Sequence, residues 1–331
     1  MASQFRHEPV LLTESLAHLH LNPGAVVLDG TLGGGGHAEA ILEATSPDGT
    51  LVGLDVDEEA LLSAQKRLQP FGERVRIVRS SFRHLDRVLE AEGIDALDGV
   101  LLDLGVSSWQ LDSAERGFRF SGGEGDASAA STPLDMRMDA GNGPTAAQLL
   151  KRASAEELAH WFHEFGEVRG SRKLARAIVA ERETGPLETA ADLIRIIREV
   201  GVGGGRKHNP ATLVFQALRI VVNDELEALR EGLDAAVSML RPGGHLVVLA
   251  YHSLEDRIVK QHLRLEARGC ECPPKAPVCM CRRTTRFDIL TRKPLSASDE
   301  EIANNPRARS ARLRAAARAS TPGSRSGERA A

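Results

Sequence analysis

Residues 25–37 read Ala-Val-Val-Leu-Asp-Gly-Thr-Leu-Gly-Gly-Gly-Gly-His. An apolar run, Ala25 to Asp29, is expected to be a buried strand; the glycines follow at once, and His37 to Ala44 reads as a helix. A glycine-rich turn between a strand and a helix lets the backbone come close to a ligand, and the helix N-terminus offers unpaired N–H donors. The next strand, Thr50 to Asp55 (TLVGLD), ends in an acid placed to accept hydrogen bonds from ribose hydroxyls. Gly33-x-Gly35-x-x-Ala38 can be fitted to the dinucleotide fingerprint, so a nicotinamide cofactor remains open at this point, as does a tight turn without a ligand. A Walker-type phosphate loop is excluded, because no Gly-Lys-Ser/Thr follows.

Outward from this turn the alternation continues. Glu58 to Leu68 reads as a helix, Arg74 to Arg79 as a strand, Leu85 to Glu92 as a helix and Asp98 to Leu104 as a fourth strand. Apolar strands separated by helices imply a parallel sheet covered on both faces. The pattern then breaks. Ser121 to Thr132 (SGGEGDASAAST) has no apolar periodicity and reads as a mobile loop, and from Thr145 to Val200 the pattern is helical. Ser154 and Glu157 form a capping box; Thr189 caps a helix with Leu193, Ile196, Ile197 and Val200 on one face, closed by Gly201. Asn209-Pro210 starts a long helix through Ile220, and strand character returns at His245 to Tyr251. The expected fold class is therefore α/β, a doubly wound, mostly parallel sheet interrupted by an inserted all-helical domain. The expected boundaries are 1–112 and 208–305 for the two parts of the sheet domain, 113–207 for the loop and helical insert, and 306–331 for a basic, disordered tail.

Composition narrows the function. The 331 residues carry 42 Lys+Arg against 46 Asp+Glu, a net −4, which excludes a uniformly basic nucleic-acid coat. Aromatics are 4%, with one Tyr and two Trp, too few for reading a bare strand by serial stacking. Seven arginines and one glutamate from Pro306 onward make that segment a basic arm, either attracting phosphate or simply solvated. The longest apolar stretches are strand-sized, so no membrane span is expected. The charged N-terminus (MASQFRHEPVLL) is unlike a secretory leader, and four cysteines do not make a disulfide framework, so the cytoplasm is the expected compartment.

Asp103 is a polar residue closing an otherwise apolar strand, at the sheet end where such folds bind ligands. Ser107, just beyond, could equally be a helix cap, and the Asp/Asn-Pro-Pro-aromatic motif common in amino-group methyltransferases is missing. Cys270-x-Cys272 and Cys279-x-Cys281 enclose proline-rich segments; four thiolates could hold one structural zinc, although the spacing departs from paired CxxC and thiols without metal are the alternative. Four thiolates would leave no open position for catalysis.

DGTLGGGGH (29–37), DLGVSSWQLD (103–112), RGF (116–118), PLDMRMD (133–139), HNPATLVFQALRIVVNDEL (208–226) and YHSLEDRIVK (251–260) occur in this order. Together they resemble the MraW family of S-adenosylmethionine-dependent methyltransferases, over roughly residues 7 to 315. The resemblance implies a Rossmann-like domain with a helical insertion, and N4-methylation of one cytosine of 16S ribosomal RNA, within the small ribosomal subunit near the decoding centre. It implies that S-adenosylmethionine contacts fall on Gly35, Gly36, His37, Asp55, Phe82, Asp103 and Gln110, with Asp55 on the ribose and Phe82 beside the adenine. The loop at 121–132 is longer than the family's usual link before PLDMRMD.

On this resemblance Asp103 is the candidate for accepting an N4 hydrogen or polarising the amine, and Trp109 could stack on the extruded base, or pack beneath the cofactor. His252 and Ser253 are candidate RNA contacts, with Ser253 and Asp256 as an alternative capping box. Arg257 is a candidate phosphate ligand, as are Arg137 and Arg219, either of which could instead be a salt-bridge partner. Two other classes stay in view: an oxidoreductase on the same sheet, and a non-catalytic RNA-binding assembly factor using the basic arm.

Overall fold

The computed structural model describes residues 9–107, 110, 113–118, 132–203, 209–270, 272, 280–281 and 284–323. The chain divides into two compact units, Met1–Gly105 with Leu226–Ala331, and Val106–Glu225.

The first unit is built on a seven-stranded sheet in the order β3-β2-β1-β4-β5-β7-β6. Its strands are β1 (Val26–Asp29), β2 (Thr50–Asp55), β3 (Val75–Arg79), β4 (Leu97–Asp103), β5 (Leu240–Ala250), β6 (Thr285–Ile289) and β7 (Arg312–Gly323). β1 to β5 run parallel, whereas β7 is antiparallel to both β5 and β6. Its helices are α1 (Leu12–Leu19), α2 (Gly36–Ala44), α3 (Glu58–Leu68), α4 (Leu85–Ala91), α10 (Glu225–Met239, within this unit from Leu226), α11 (Ser253–Glu266) and α12 (Asp299–Asn304).

The period of two along each strand sorts side chains into two cores. Val27, Leu51, Leu101 and Val247 face one side, where Ile41 and Leu42 of α2 and Leu61 and Leu68 of α3 cover them. Their neighbours Leu28, Val52, Leu102 and Val248 face the other, under Leu85 and Leu89 of α4, Leu229 and Leu233 of α10, and Val259 and Leu263 of α11. Both faces are dry, which is why these strands read as unbroken apolar runs.

The second unit holds α5 (Ala146–Arg152), α6 (Ala155–Glu164), α7 (Ser171–Arg182), α8 (Ala190–Val200) and α9 (Pro210–Asn223). The anticipated caps form: Ser154 with Glu157 and Thr189 with Asp192 are complete capping boxes, Gly201 closes α8 in the left-handed conformation, and Asn209 caps α9 ahead of Pro210. Thr145 and Gln148 add a capping box on α5. Leu158, Phe162, Leu174, Ile178, Leu193 and Ile197 form its core.

Two expectations are corrected. The insert was placed at 113–207, with 208–305 returned to the sheet domain; yet Ala211, Val214, Phe215, Ala217 and Leu218 of α9 are buried in the helical unit's own core, so that unit extends through Glu225. The segment from Pro306, expected to be a disordered tail, forms a short 3-10 turn (Pro306–Ser310) and then β7. Its strand is hidden in the sequence because alanine is a weak strand former and arginine reads as surface. Here Leu313, Ala315 and Ala316 are buried in the sheet, and the guanidinium of Arg314 is buried against Asp256, at 2.7 and 3.1 Å. Residues 324–331 of that segment, and 121–131 of the anticipated loop, lie outside the described residues. Among the described residues no helix is long and apolar enough to cross a membrane.

Candidate functional site

β1, β2 and β4 end in Asp29, Asp55 and Asp103, and the glycine turn begins where β1 stops. Backbone bonds stitch that turn to both neighbouring strands: Gly30 N–H donates to Leu101 O at 2.9 Å and Leu32 N–H to Leu54 O at 2.8 Å. Gly35 has φ +78°, a conformation costly for any residue with a Cβ, and caps α2. Gly36 is required for a different reason, since a Cβ there would lie 2.6 Å from Cγ of Pro9. The expected turn is therefore folded against the segment that precedes α1.

The acids are held in distinct ways. Asp55 accepts from the Gly33 amide at 2.8 Å on one oxygen and from the Asp57 amide at 2.9 Å on the other. Burial pushes its carboxyl above the ordinary value. Asp29, 1% exposed, accepts from the Thr31 amide at 3.1 Å; burial, reinforced by the charges of Asp103 and Asp55, pushes it up to about 7. Asp103 takes a hydrogen bond from the Tyr251 hydroxyl at 2.7 Å on Oδ1, while Oδ2 lies 3.7 Å from His37 Nδ1. Its backbone N–H donates to Thr31 Oγ1 at 2.6 Å. Burial raises Asp103 as well, with His37 and the Tyr251 hydroxyl opposing. His37 is buried, with Nε2 3.1 Å from Val10 O; a carbonyl can only accept, so Nε2 carries the hydrogen and Nδ1 faces the carboxylate. Among the described residues no lysine or arginine pairs with any of the three acids, so they form an acidic group at the carboxyl ends of adjacent strands, with Asp29 buried and Asp55 and Asp103 half-buried.

Phe82 opens a 3-10 turn after β3 and packs within the α4/α10 core. Its ring lies against Gly232 of α10, where a Cβ would stand 2.4 Å from the ring edge, and its Cβ is 3.0 Å from where one on Gly30 would be. It is thus held beside the first residue of the glycine turn.

The YHSLEDR stretch works as a brace. Glu255, buried, accepts from the amides of Tyr251 and His252 at 2.8 and 3.2 Å, fixing the turn from which the Tyr251 hydroxyl reaches Asp103. Asp256 pairs instead with Arg314 and, at 3.7 Å, with Arg312 of β7. The α11 capping box therefore uses His252 with Glu255 rather than Ser253 with Asp256, because Asp256 is committed to β7. Ser253 and Arg257 are exposed at the start of that helix.

The remaining expected residues fall elsewhere. Gln110, in the helical unit, is buried and exchanges hydrogen bonds with Ser107, at 2.9 and 3.2 Å. Trp109 lies outside the described residues. Arg137 is clamped bidentately by Asp135, at 2.8 Å on each arm, and its hydrogen bonds hold that carboxyl below the ordinary range despite burial. Arg219 is clamped in the same way by Glu225, again at 2.8 Å on each arm. Both arginines thus occupy the salt-bridge role that was their alternative. Sequence reading passed over Asp29, Thr31 and Tyr251. The signal for Asp29 was present, since VVLD, LVGLD and VLLD all end a strand in aspartate. Cys270, Cys272 and Cys281 converge between α11 and β6, whereas Cys279 lies outside the described residues.

A 3-2-1-4-5 parallel core with an antiparallel β7 beside β5, and a glycine turn facing strand-end acids, defines a Rossmann-like methyltransferase fold. The model of the MraW methylase family matches residues 4–319, and the chain belongs to that family. Among its relatives, the Ribosomal RNA small subunit methyltransferase H of Syntrophotalea carbinolica is 52% identical over 314 residues, covering 94% of this chain and 97% of that protein. The proteins of the same name from Geobacter sulfurreducens and Carboxydothermus hydrogenoformans are 51% and 49% identical, covering 94% and 95% of this chain and 98% of each relative.

Proposed function

We propose that this chain is an S-adenosylmethionine-dependent methyltransferase of small-subunit ribosomal RNA, acting in the cytoplasm on N4 of one cytosine of 16S RNA near the decoding centre. The observation that carries the cofactor reading is the acidic group of Asp29, Asp55 and Asp103 at three adjacent strand ends, where burial raises all three carboxyls and the charges of Asp103 and Asp55 add to that rise at Asp29. A sulfonium and an α-ammonium complement such a cluster, whereas a dinucleotide's pyrophosphate would add negative charge to it. This favours S-adenosylmethionine over a nicotinamide cofactor. The relatives' names support the RNA substrate, and the motif resemblance supports the cytosine amine.

The residues present in the sheet unit fit that cofactor: Gly35, Gly36 and His37 at the turn, Asp55 for ribose hydroxyls, Phe82 for the adenine and Asp103 for the remainder. When bound, S-adenosylmethionine supplies a methyl group activated by its positive sulfur. The protein's own task is to make a weak nucleophile react, because the cytosine amine's lone pair is delocalised into the ring. Asp103 accepts a hydrogen bond from N4–H, which returns electron density to nitrogen. As the new N–C bond forms, it takes that proton, later released to water. Burial suits it to this role, since its raised carboxyl is a stronger base than an exposed aspartate. Tyr251 positions Asp103 through its hydroxyl, and burial keeps that hydroxyl protonated as a donor.

Tyr251→Phe tests this arrangement. The lost hydrogen bond stabilised the charged form of Asp103, so the carboxyl should rise further and the acid limb of the pH–rate profile should move to higher pH. Well above that limb, kcat is expected to fall by roughly tenfold or less. An unmoved acid limb would separate Tyr251 from the reacting base.

The function itself is read by incubating the chain with tritiated S-adenosylmethionine and unmethylated small subunits, then identifying the labelled nucleoside. N4-methylcytidine is expected. Label on adenine would refute the substrate assignment, and subunit binding without transfer would favour an assembly factor.

A further inference from the structure

We propose that Cys270, Cys272 and Cys281 form a thiolate site for a soft divalent cation of the zinc class, which ties together the connection between α11 and β6. Their sulfurs all lie within 4.8 Å of one another, and Cys281 Sγ is 3.8 Å from Cys270 Sγ. That separation is far longer than the ~2.05 Å of a disulfide. It matches the edge of a tetrahedron whose metal–sulfur bonds are ~2.3 Å, which places sulfurs about 3.8 Å apart.

The backbone around the sulfurs supports thiolates. The Cys272 amide donates to Cys270 Sγ at 3.4 Å, and the Met280 amide to Cys272 Sγ at 3.3 Å. Such N–H···S bonds offset the charge of a ligating sulfur and orient it toward a metal. Core packing does not account for the convergence: Cys270 is exposed, Cys272 and Cys281 are only half-buried, and the adjacent Met280 is 85% exposed. A cysteine that merely fills space is among the most buried of residues.

The site also lies where a tie would be effective. Glu266, at the end of α11, pairs with Arg286 of β6, and a Cβ on Gly269 would meet Thr285 Oγ1 at 3.1 Å, so the two ends of the connection already stand side by side. A metal between them would supply the cohesion that an apolar core supplies elsewhere. Binding releases the thiol protons to solvent, with no change in oxidation state. Thiolate donors select zinc-class ions over magnesium or calcium. Cys279 stands two residues before Cys281 in sequence but outside the described residues, and the site is argued from the other three.

The test uses the full chain, untagged and purified without chelator, with metal content measured by mass spectrometry and thiols counted under denaturing conditions. A single zinc per chain is expected, falling by roughly tenfold or more in the Cys270→Ser/Cys281→Ser double variant. Cobalt titrated into chelator-stripped wild-type protein should give thiolate charge-transfer absorption and strong tetrahedral visible bands, a readout that does not depend on the variant folding. Zinc absent from fresh protein together with no thiolate–cobalt band would overturn the site. So would zinc retained by the double variant, or two thiols missing from the count in protein kept from oxidants, which would mean a disulfide.

Discussion

Asp103→Asn is expected to lower methyl transfer by about a hundred- to ten-thousandfold, the range associated with losing a positioned general base. The substitution is nearly isosteric, and its side-chain oxygen can still accept from the Tyr251 hydroxyl, as Oδ1 does at 2.7 Å. What disappears, on the proposed mechanism, is the negative charge that would polarise the amine and the site that would receive its proton. Because Asp103 is also assigned to the cofactor, single-turnover rates should be measured at saturating S-adenosylmethionine, with affinity determined separately by calorimetry. A carboxylate acting as base must be deprotonated, so wild-type activity should fall as pH drops through its raised value, and the variant's residual activity should lack that limb. Unchanged turnover with intact cofactor binding would remove Asp103 from the chemistry.

The second large effect concerns stability. Asp29 has an ordinary value of 3.8 in the open chain and about 7 in the fold, where burial disfavours its charge. Between those values the folded chain binds more protons than the unfolded one, so stability falls as pH rises through this window and levels off above it. Each unit is worth about 1.4 kcal/mol, so the full penalty is on the order of 4 kcal/mol. Asp29→Asn removes the ionisable group and keeps an acceptor for the Thr31 amide. Its stability relative to wild type should therefore grow between pH 5 and pH 8 by about 3 kcal/mol, read from urea unfolding without cofactor. A difference that does not change with pH would show that Asp29 is not the strained group. The same substitution should weaken S-adenosylmethionine binding most at pH 8, where wild-type Asp29 is anionic. On the proposed cofactor reading, the fold carries a destabilising carboxylate at its binding face that a bound cation would relieve.

The parts of the fold legible in sequence are those where local and tertiary demands agree. β2 and α3 fall at the expected Thr50–Asp55 and Glu58–Leu68, because doubly buried strands are continuous apolar runs and Asp57 caps the helix that follows. The glycine turn and Asp55 could be placed because they depend on neighbouring residues alone. Long-range partnerships were not legible. Arg314 looks like a solvated charge until Asp256 of α11 is brought against it, and Arg137 and Arg219 look like phosphate ligands until Asp135 and Glu225 engage them. Tyr251 was quoted within a motif, but its hydroxyl acquires a role only when β5 lies next to β4 and brings it to Asp103. The membership of α9 in the helical unit was equally hidden, since an amphipathic helix shows that it has a partner but not which one.

The antiparallel strand has a consequence for how the chain is made. β7 lies between β5 and β6 in the sheet, although β6 precedes it in sequence. During synthesis, therefore, β5 keeps an open edge and β6 has no neighbour to join until residues 312–323 have left the ribosome. The sheet domain must complete its assembly after residues 312–323 have been translated, whereas the helical unit between β4 and α10 has all its residues earlier. Until then Asp256 also lacks its arginines, so β7 both joins β5 to β6 and supplies the partners of an acid on the helix that braces Tyr251.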